Sequence, residues 1–247
     1  MDFIIRQFER LDSTNKSLQQ ILDKEKAIEG FVVCAKEQLA GRGHGKNHWE
    51  SEAGKNLTFS VLLKPSFISP EKQFLLTQIV SLAIVDLIKE IIPEEKTTIK
   101  WPNDIYIGNR KVAGILIQNF IKGQNIDYSI VGIGLNVNQE HFLSDAPNPV
   151  SLIQLTNNAL TLDNLLDKLL MRIKTIYEQS ASLIYRDEIN NRYLSHLFRY
   201  RKPAVFKEKN LQFQATILGI GEFGQLILQL ENGVEKQYAF KEVEFVI

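Results

Sequence analysis

Cysteine is almost missing from this sequence: Cys34 is the only one in 247 residues. A single thiol excludes an internal disulfide and a cysteine-rich metal site, and it fits a reducing compartment. Its place inside FVVCAKEQ predicts a strand thiol in the core, not a nucleophile. Histidine is scarce too, and His44, His48, His141 and His196 show no metal-ligand spacing. No serine is set in a nucleophile elbow, so hydrolase and zinc-enzyme readings have no support. Net charge is absent, with 29 basic side chains against 29 acidic ones. No bulk field therefore draws the molecule to nucleic acid or to an anionic membrane, and any anion recognition must be local. The N-terminal stretch MDFIIRQFERLD is charged at Asp2, Arg6, Glu9 and Arg10 and is not a signal peptide. The most apolar segment, FLLTQIVSLAIVDLIKEII, is interrupted by Gln78, Ser81, Asp86, Lys89 and Glu90 and bounded by Pro70 and Pro93. That profile belongs to a buried helix, not a membrane span, and a cytoplasmic protein is expected.

What is present is an alternation of strand and helix patterns. In LDSTNKSLQQIL a cluster of capping residues precedes Leu18, Ile21 and Leu22 at helical spacing, so STN should mark a strand-to-helix junction. GFVVCAKEQ and GKNLTFSVLLKP read as strands. Between them LAGRGHGKNHWESEA is too polar and glycine-rich for either element and should be a long basic loop. Ser69 and Pro70 should open the buried helix and Pro93 end it. TTIKWPNDIYIG and KVAGILIQNFI read as two strands joined by a turn at Gly108–Asn109, with YSIVGIGLNVN as a third, an antiparallel meander. Leu162, Leu165, Leu166, Leu169, Leu170, Ile173, Ile176 and Tyr177 predict a helix, followed by a second helical stretch to about Phe198. From there short alternating strands with an Asn232–Gly233 hairpin signal predict a small β-barrel. The boundary is placed near Arg199, giving a larger α/β-patterned domain over 1–198 and a β domain over 199–247.

Three stretches could carry chemistry. GRGHGKNHW combines glycine freedom with Arg42, His44, Lys46 and His48, so it can close on a phosphate with amide hydrogens and cationic side chains. It is neither a P-loop nor a dinucleotide fingerprint, and a solvated surface loop is the plain alternative. In KWPND, Pro102 restricts Trp101 to an extended conformation. Asn103 and Asp104 then offer oxygens suited to magnesium held together with nucleotide phosphates, although such a run alone is more often a turn. Lys111 lies just inside the next strand, where it must face solvent or a ligand. In GIGLNVN, Gly132 and Gly134 permit close backbone approach and Asn136 projects from a strand end.

Taken in order, DSTN, AKEQLAGRG, WES, GKNLTFSVLL, KWPNDIY, RKVAGIL and GIGLNVN resemble the biotin protein ligases, also called biotin–[acetyl-CoA carboxylase] ligases, over nearly the whole chain. The resemblance implies an α+β fold: a mixed, largely antiparallel central sheet with flanking helices, of class II synthetase-like type, plus a small C-terminal SH3-like β-barrel. It implies a ligase that uses ATP and magnesium to make biotinyl-5'-AMP and passes biotin to a lysine of a biotin carboxyl carrier protein domain of a biotin-dependent carboxylase. Carried over residue by residue, Ser13, Thr14, Asn15 and Gln38 fall on the pocket for the ureido head. Gly41, Arg42, Gly43 and His44 fall on the biotin and adenylate loop, Lys111 near the carboxylate, and Gly114 beneath the ligand. On the nucleotide side are Arg42, Trp49, Lys100, Asn103, Asp104 and Asn136, with Asp104 on the metal and Trp49 folding over the adenylate. Arg42, Lys111 and Asp104 are the implied catalytic set. Asp104 is also the candidate base for the amine, since a free lysine near pKa 10.4 is mostly protonated at pH 7.

Few residues precede DSTN, so the monofunctional type without an N-terminal DNA-binding domain is expected. No nucleic acid or membrane partner is expected, and a homodimer, common in the family, is left open. The loop departs from the family where GRG continues His44, Gly45, Lys46. An ordinary imidazole titrates near 6.5 and is mostly neutral at pH 7, so adenylate retention is expected to be weaker than the family norm. Replacing His44 by arginine should slow release of the adenylate, and an unchanged release rate would remove this reading. Two alternatives stand beside the ligase. A lipoate or octanoate ligase shares the fold, yet its apolar acyl chain would leave the Ser13, Thr14, Asn15 and Gln38 polar groups unpaired. A non-enzymatic binding module lacks the aromatic-basic stripe that nucleic acid would need.

Overall fold

The computed structural model describes residues 1–24, 27–41, 43, 48–143 and 148–247. Runs of β-branched and aromatic residues form β1 (Ile4–Leu11), β2 (Phe31–Gln38), β3 (Leu57–Leu63), β4 (Thr97–Lys100), β5 (Asp104–Ile107), β6 (Arg110–Lys122) and β7 (Asn125–Leu135). They make one seven-stranded sheet in the order β1-β2-β3-β7-β6-β5-β4. β1 and β2 are parallel, joined by the crossover helix α1 (Thr14–Lys24), and the remaining pairs are antiparallel.

The expected meander has one strand more than its sequence reading. TTIKWPNDIYIG turns back at residues 101–103, so that Lys100 pairs with Asp104. Pro102, which follows a cis Trp101–Pro102 peptide, has no N–H to give to a ladder. The start of the buried helix also differs. Ser69 and Pro70 open a single 3₁₀ turn, Pro70–Lys72, closed by Gln73 N–H to Pro70 O at 3.2 Å. α2 (Phe74–Ile91) begins only where Phe74 can pack on Tyr193, with ring centroids 5.6 Å apart, and it stops before Pro93 as expected.

After β7 come the short α3 (Ile153–Thr156), then α4 (Leu162–Gln179) and α5 (Leu183–His196). Alternation along the strands splits the core between two faces. Phe59, Val61 and Leu63 join α2 and α4 on one face, while Leu62, Val33 and Ile130 pack with Leu18 of α1 on the other. The chain ends in β8 (Pro203–Glu208), β9 (Leu211–Ile220), β10 (Leu226–Leu230), β11 (Glu235–Tyr238) and β12 (Glu244–Phe245). These strands form an antiparallel sheet ordered β11-β10-β9-β8-β12, with the Asn232–Gly233 turn as expected. Ladder pairing among the described residues runs from β11 to β12 and does not join those two ends. Phe206, Ile217, Leu226, Leu228 and Val243 belong to the same apolar cluster as α2, so the two sheets pack through a continuous core. Among the described residues no helix is long and apolar enough to cross a membrane.

Candidate active site

Strand register explains why the motifs meet. The pairs Thr58↔Gly134, Gly134↔Gly114, Gly114↔Asp104 and Asp104↔Lys100 run across β3, β7, β6, β5 and β4. Paired residues of neighbouring antiparallel strands share a face, so these residues form one row with two glycines at its middle. Two positions along, Ser60, Gly132 and Leu116 form a second row. A methyl group on Gly132 would land on Asn15 Oδ1, and one on Gly134 would land on the Trp49 indole. The bare backbone between the rows is the floor of a cleft of about 730 Å³, within the range that small-molecule sites occupy.

Lys111 reaches this cleft through a β-bulge. Ile105 pairs with Ala113 but Tyr106 pairs with Lys111, leaving Val112 as the extra residue. In a regular ladder Lys111 would point to the opposite, helix-packed face; the bulge turns it onto the face of Asp104. Its Nζ stands 2.7 Å from Asp104 Oδ1. Asn136 braces the bulge, donating its N–H to Val112 O at 2.9 Å and its amide to Val150 O at 3.1 Å. Asn136 is thus a buried support and not part of the cleft lining. Asn103 likewise spends its amide on the fold, donating to Ile115 O at 2.6 Å and locking the turn to β6.

At the other end the DSTN residues follow β1 directly, and the Leu11↔Gln38 pairing brings Gln38 to them. Gln38 Oε1 accepts from Thr14 N–H at 2.8 Å and from the Thr14 hydroxyl at 3.2 Å. Asn15 donates to Leu116 O at 3.2 Å and Gln118 Oε1 at 3.0 Å, and accepts from Ser60 Oγ at 2.6 Å. Asn15 is therefore a strut with its amide already committed. Among the described residues, what is left for a ligand is the Ser13 hydroxyl, an acceptor lone pair on Thr14 Oγ1 and Gln38 Nε2, all from cleft-lining residues.

Trp49 lies across Gly114 and Gly134, its ring centroid 5.7 Å from Lys111 Nζ. Its indole N–H is buried and has no hydrogen-bond partner among the described residues. Trp49 N–H closes the base of the loop onto Gly41 O at 3.0 Å, and Gly43 lines the cleft. Arg42 and His44 lie outside the described residues. Lys100 stands 5.3 Å from the ring centroids of both Tyr106 and Phe245. Burial holds its ammonium below the usual lysine range, and the nearby Asp104 carboxylate opposes that shift. Cys34 is half-buried in β2, where burial pushes its thiol up to about 12, and it takes no part.

Sequence reasoning missed Ser60 and Gln118, which hold Asn15, and the wall of Phe240, Lys241, Glu244 and Phe245 from the C-terminal sheet. Ser60 carried a signal, as a serine in the otherwise apolar FSVLL. The wall carried none, because its residues face the cleft only through the packing of one sheet on the other. Among the described residues no group of three or more His, Cys, Asp or Glu side chains could hold a metal alone. Asp104 and Glu244 are the carboxylates of the cleft lining. That donor set fits magnesium, which is usually bound by one or two carboxylates together with nucleotide phosphates.

Residues 7–136, which contain DSTN, KWPND, RKVAG and the glycine floor, match the Biotin/lipoate A/B protein ligase family. The chain belongs to that family. Among the relatives of this biotin/lipoate ligase-family chain is the bifunctional ligase/repressor BirA of Bacillus subtilis (strain 168), 30% identical over 238 residues. The alignment covers 93% of this chain and 70% of that protein. A biotin–[acetyl-CoA-carboxylase] ligase of Paracoccus denitrificans is 28% identical over 235 residues, covering 89% of this chain and 92% of the other. The biotin protein ligase of Aquifex aeolicus, solved in complex with biotin and ATP, has the same fold. It matches with a TM-score of 0.80 at 24% identity, over 98% of this chain and 99% of that one. The family fold therefore extends through both sheets described above.

Proposed function

We propose that this chain is an ATP-dependent ligase that activates biotin as biotinyl-5'-AMP and transfers it to a lysine of a carrier protein domain. The observation that carries the reading is the two-ended cleft. One end holds the hydroxyl and amide groups of Ser13, Thr14 and Gln38; the other holds Lys111, Asp104 and Lys100; bare glycine backbone lies between. The name of the Paracoccus denitrificans relative supports biotin as the small substrate.

In the first step a biotin carboxylate oxygen forms a bond to the α-phosphorus of ATP and pyrophosphate leaves. Two anions must meet, and Lys111 and Lys100 set positive charge where they do. Magnesium, held by Asp104 and the phosphates, would supply further charge neutralisation. Arg42 is proposed to add a third cation from the loop, and Trp49 to cover the nucleotide. In the second step the carrier amine forms a bond to the acyl carbon, the bond to AMP breaks, and the amine gives up a proton, for which Asp104 is the proposed acceptor. We place residues 1–198 in the catalytic domain and 199–247 in a C-terminal domain that walls the nucleotide end. A carboxylase carrier domain is the proposed acceptor and the cytoplasm the proposed compartment.

The test is pyrophosphate exchange into ATP with magnesium, run with biotin and then with lipoate. Exchange with biotin alone is the expected result. Exchange with lipoate alone would make this a lipoate ligase of the same family, and exchange with neither would end the proposal.

A further inference from the structure

Trp101 stands in the middle of KWPND, between Lys100 and Pro102, Asn103 and Asp104, all of which line the cleft. Its own polar atom is turned to a different part of the molecule. The buried indole N–H donates to the carbonyl of Gly224, 123 residues on, at 2.8 Å. Gly224 belongs to the turn between β9 and β10 of the C-terminal sheet. Its carbonyl is held firmly in place. Gly224 has φ +87°, where side chains are strained, its N–H is bonded to Gly221 O at 3.0 Å, and a Cβ there would strike the Phe74 ring. The Trp101 ring also meets Phe240, in the turn between β11 and β12, edge-on, with centroids 6.1 Å apart.

The motif turn is therefore gripped from two sides. Asn103 ties it to β6 within the catalytic sheet, with Asn103 Nδ2 to Ile115 O and Ile115 N–H to Asn103 O at 2.9 Å. Trp101 ties it to the C-terminal sheet. The residue before Trp101 follows the same logic, since Lys100 Nζ lies between the Tyr106 ring of the large sheet and the Phe245 ring of the small one. A shift of the small sheet would move the Gly224 carbonyl and the Phe245 ring together. Both movements would reach Lys100 and Asp104, while the Ser13, Thr14, Asn15 and Gln38 end is held by β1, β2, β3 and β6 of the large sheet.

We infer that Trp101 is a positioning residue for the nucleotide: its indole latch to Gly224 couples docking of the C-terminal sheet to the placement of Lys100 and Asp104. The inference rests on the proposed function for its kinetic readout. Trp101→Phe keeps an aromatic ring, though a smaller one, and removes the N–H, leaving a buried carbonyl without its donor. Loss of one such bond is expected to raise the KM for ATP in pyrophosphate exchange about fivefold to tenfold, with the KM for biotin within about twofold of the unaltered protein. Gly224→Ala displaces the carbonyl from the far side without touching any cleft residue, and it should reproduce the ATP-selective rise if Trp101→Phe proves too unstable to assay. Lys72→Ala, which removes the exposed ion pair of Lys72 with Glu222 of the same turn at 2.8 Å, should change neither constant. An unaltered ATP KM in both latch variants, an equal rise for biotin, or an equal effect of Lys72→Ala would overturn the inference. A second readout does not need the ligase activity. The chain has two tryptophans, so Trp49→Phe isolates the Trp101 indole signal. Its N–H should exchange slowly in the free protein and faster in Gly224→Ala; fast exchange already in Trp49→Phe alone would overturn the latch. Failure of biotin-dependent exchange in the unaltered protein would instead fall on the proposed function.

Discussion

Replacing Lys111 by alanine is expected to lower biotin-dependent pyrophosphate exchange by about two to three orders of magnitude at saturating biotin and ATP, the scale of losing one group that stabilises developing charge in a closed site. The argument starts from the ladder. A lysine inside a strand whose neighbours Val112 and Ala113 are fully buried would, in regular register, face the helices. The chain accepts a bulge, and the Asn136 and Val150 bonds that prop it, to bring this one ammonium to Asp104. In the alanine variant Asp104, its side chain 19% exposed, loses its ion-pair partner, and among the described residues it interacts with the cation of Lys100, whose own charge burial already disfavours. The carboxylate and the phosphate would meet with one cation fewer and one uncompensated anion more. Lys111→Arg should recover only part of the rate, because a planar guanidinium is wider than an ammonium and the Trp49 ring lies beside this position. The loss should appear in kcat more than in the biotin KM, since the ureido end is anchored elsewhere. Exchange in Lys111→Ala within fivefold of the unaltered protein would remove Lys111 from the chemistry.

The same bulge marks the limit of what the sequence could reveal. DSTN, KWPND, RKVAG and GIGLN were legible as separate short patterns, and their order carried the family resemblance. The rows that unite them are a matter of register: Thr58, Gly134, Gly114, Asp104 and Lys100 share a row only after five strands have paired. Periodicity of two assigns alternate residues to faces, and one inserted residue at Val112 inverts that assignment for Lys111. The split of TTIKWPNDIYIG into two strands was foreshadowed by Pro102, a residue without a ladder donor, yet its consequence, Lys100 beside Asp104, needed the hairpin. Asn15, Asn103 and Asn136 show a second limit. All three were read as ligand groups, and all three commit their amides to backbone or side-chain acceptors, a choice that sequence alone does not expose. Short polar side chains at motif positions serve a ligand or the scaffold with equal chemical ease.

Gly132→Ala should weaken biotin more than ATP, raising the biotin KM by about one to two orders of magnitude. The added methyl group falls on Asn15 Oδ1, and Asn15 has little room to retreat. It is bound to Ser60 at 2.6 Å, to Leu116 O at 3.2 Å and to Gln118 Oε1 at 3.0 Å, and Ser60 in turn stands 2.8 Å from Thr14 Oγ1. Pushing Asn15 aside therefore breaks a buried bond and moves Thr14 with it, disturbing the hydroxyl and the Gln38 contact proposed to read the ligand head. Overpacking of this kind costs about 1–3 kcal/mol, and a buried polar group left unpaired costs a similar amount, with each 1.4 kcal/mol worth about tenfold. Gly219→Ala is the matched control, because a Cβ there meets nothing within 4 Å. Melting temperatures separate the two routes of damage: a fall without a change in biotin KM would mean that the Asn15 network holds the fold and nothing more. The decisive comparison is Gly132→Ala in an Asn15→Ala background. There the methyl group has no oxygen to strike, so it should add almost no further loss, the signature of two residues acting through one contact. Full additivity would mean that Gly132 harms biotin binding by some path other than Asn15.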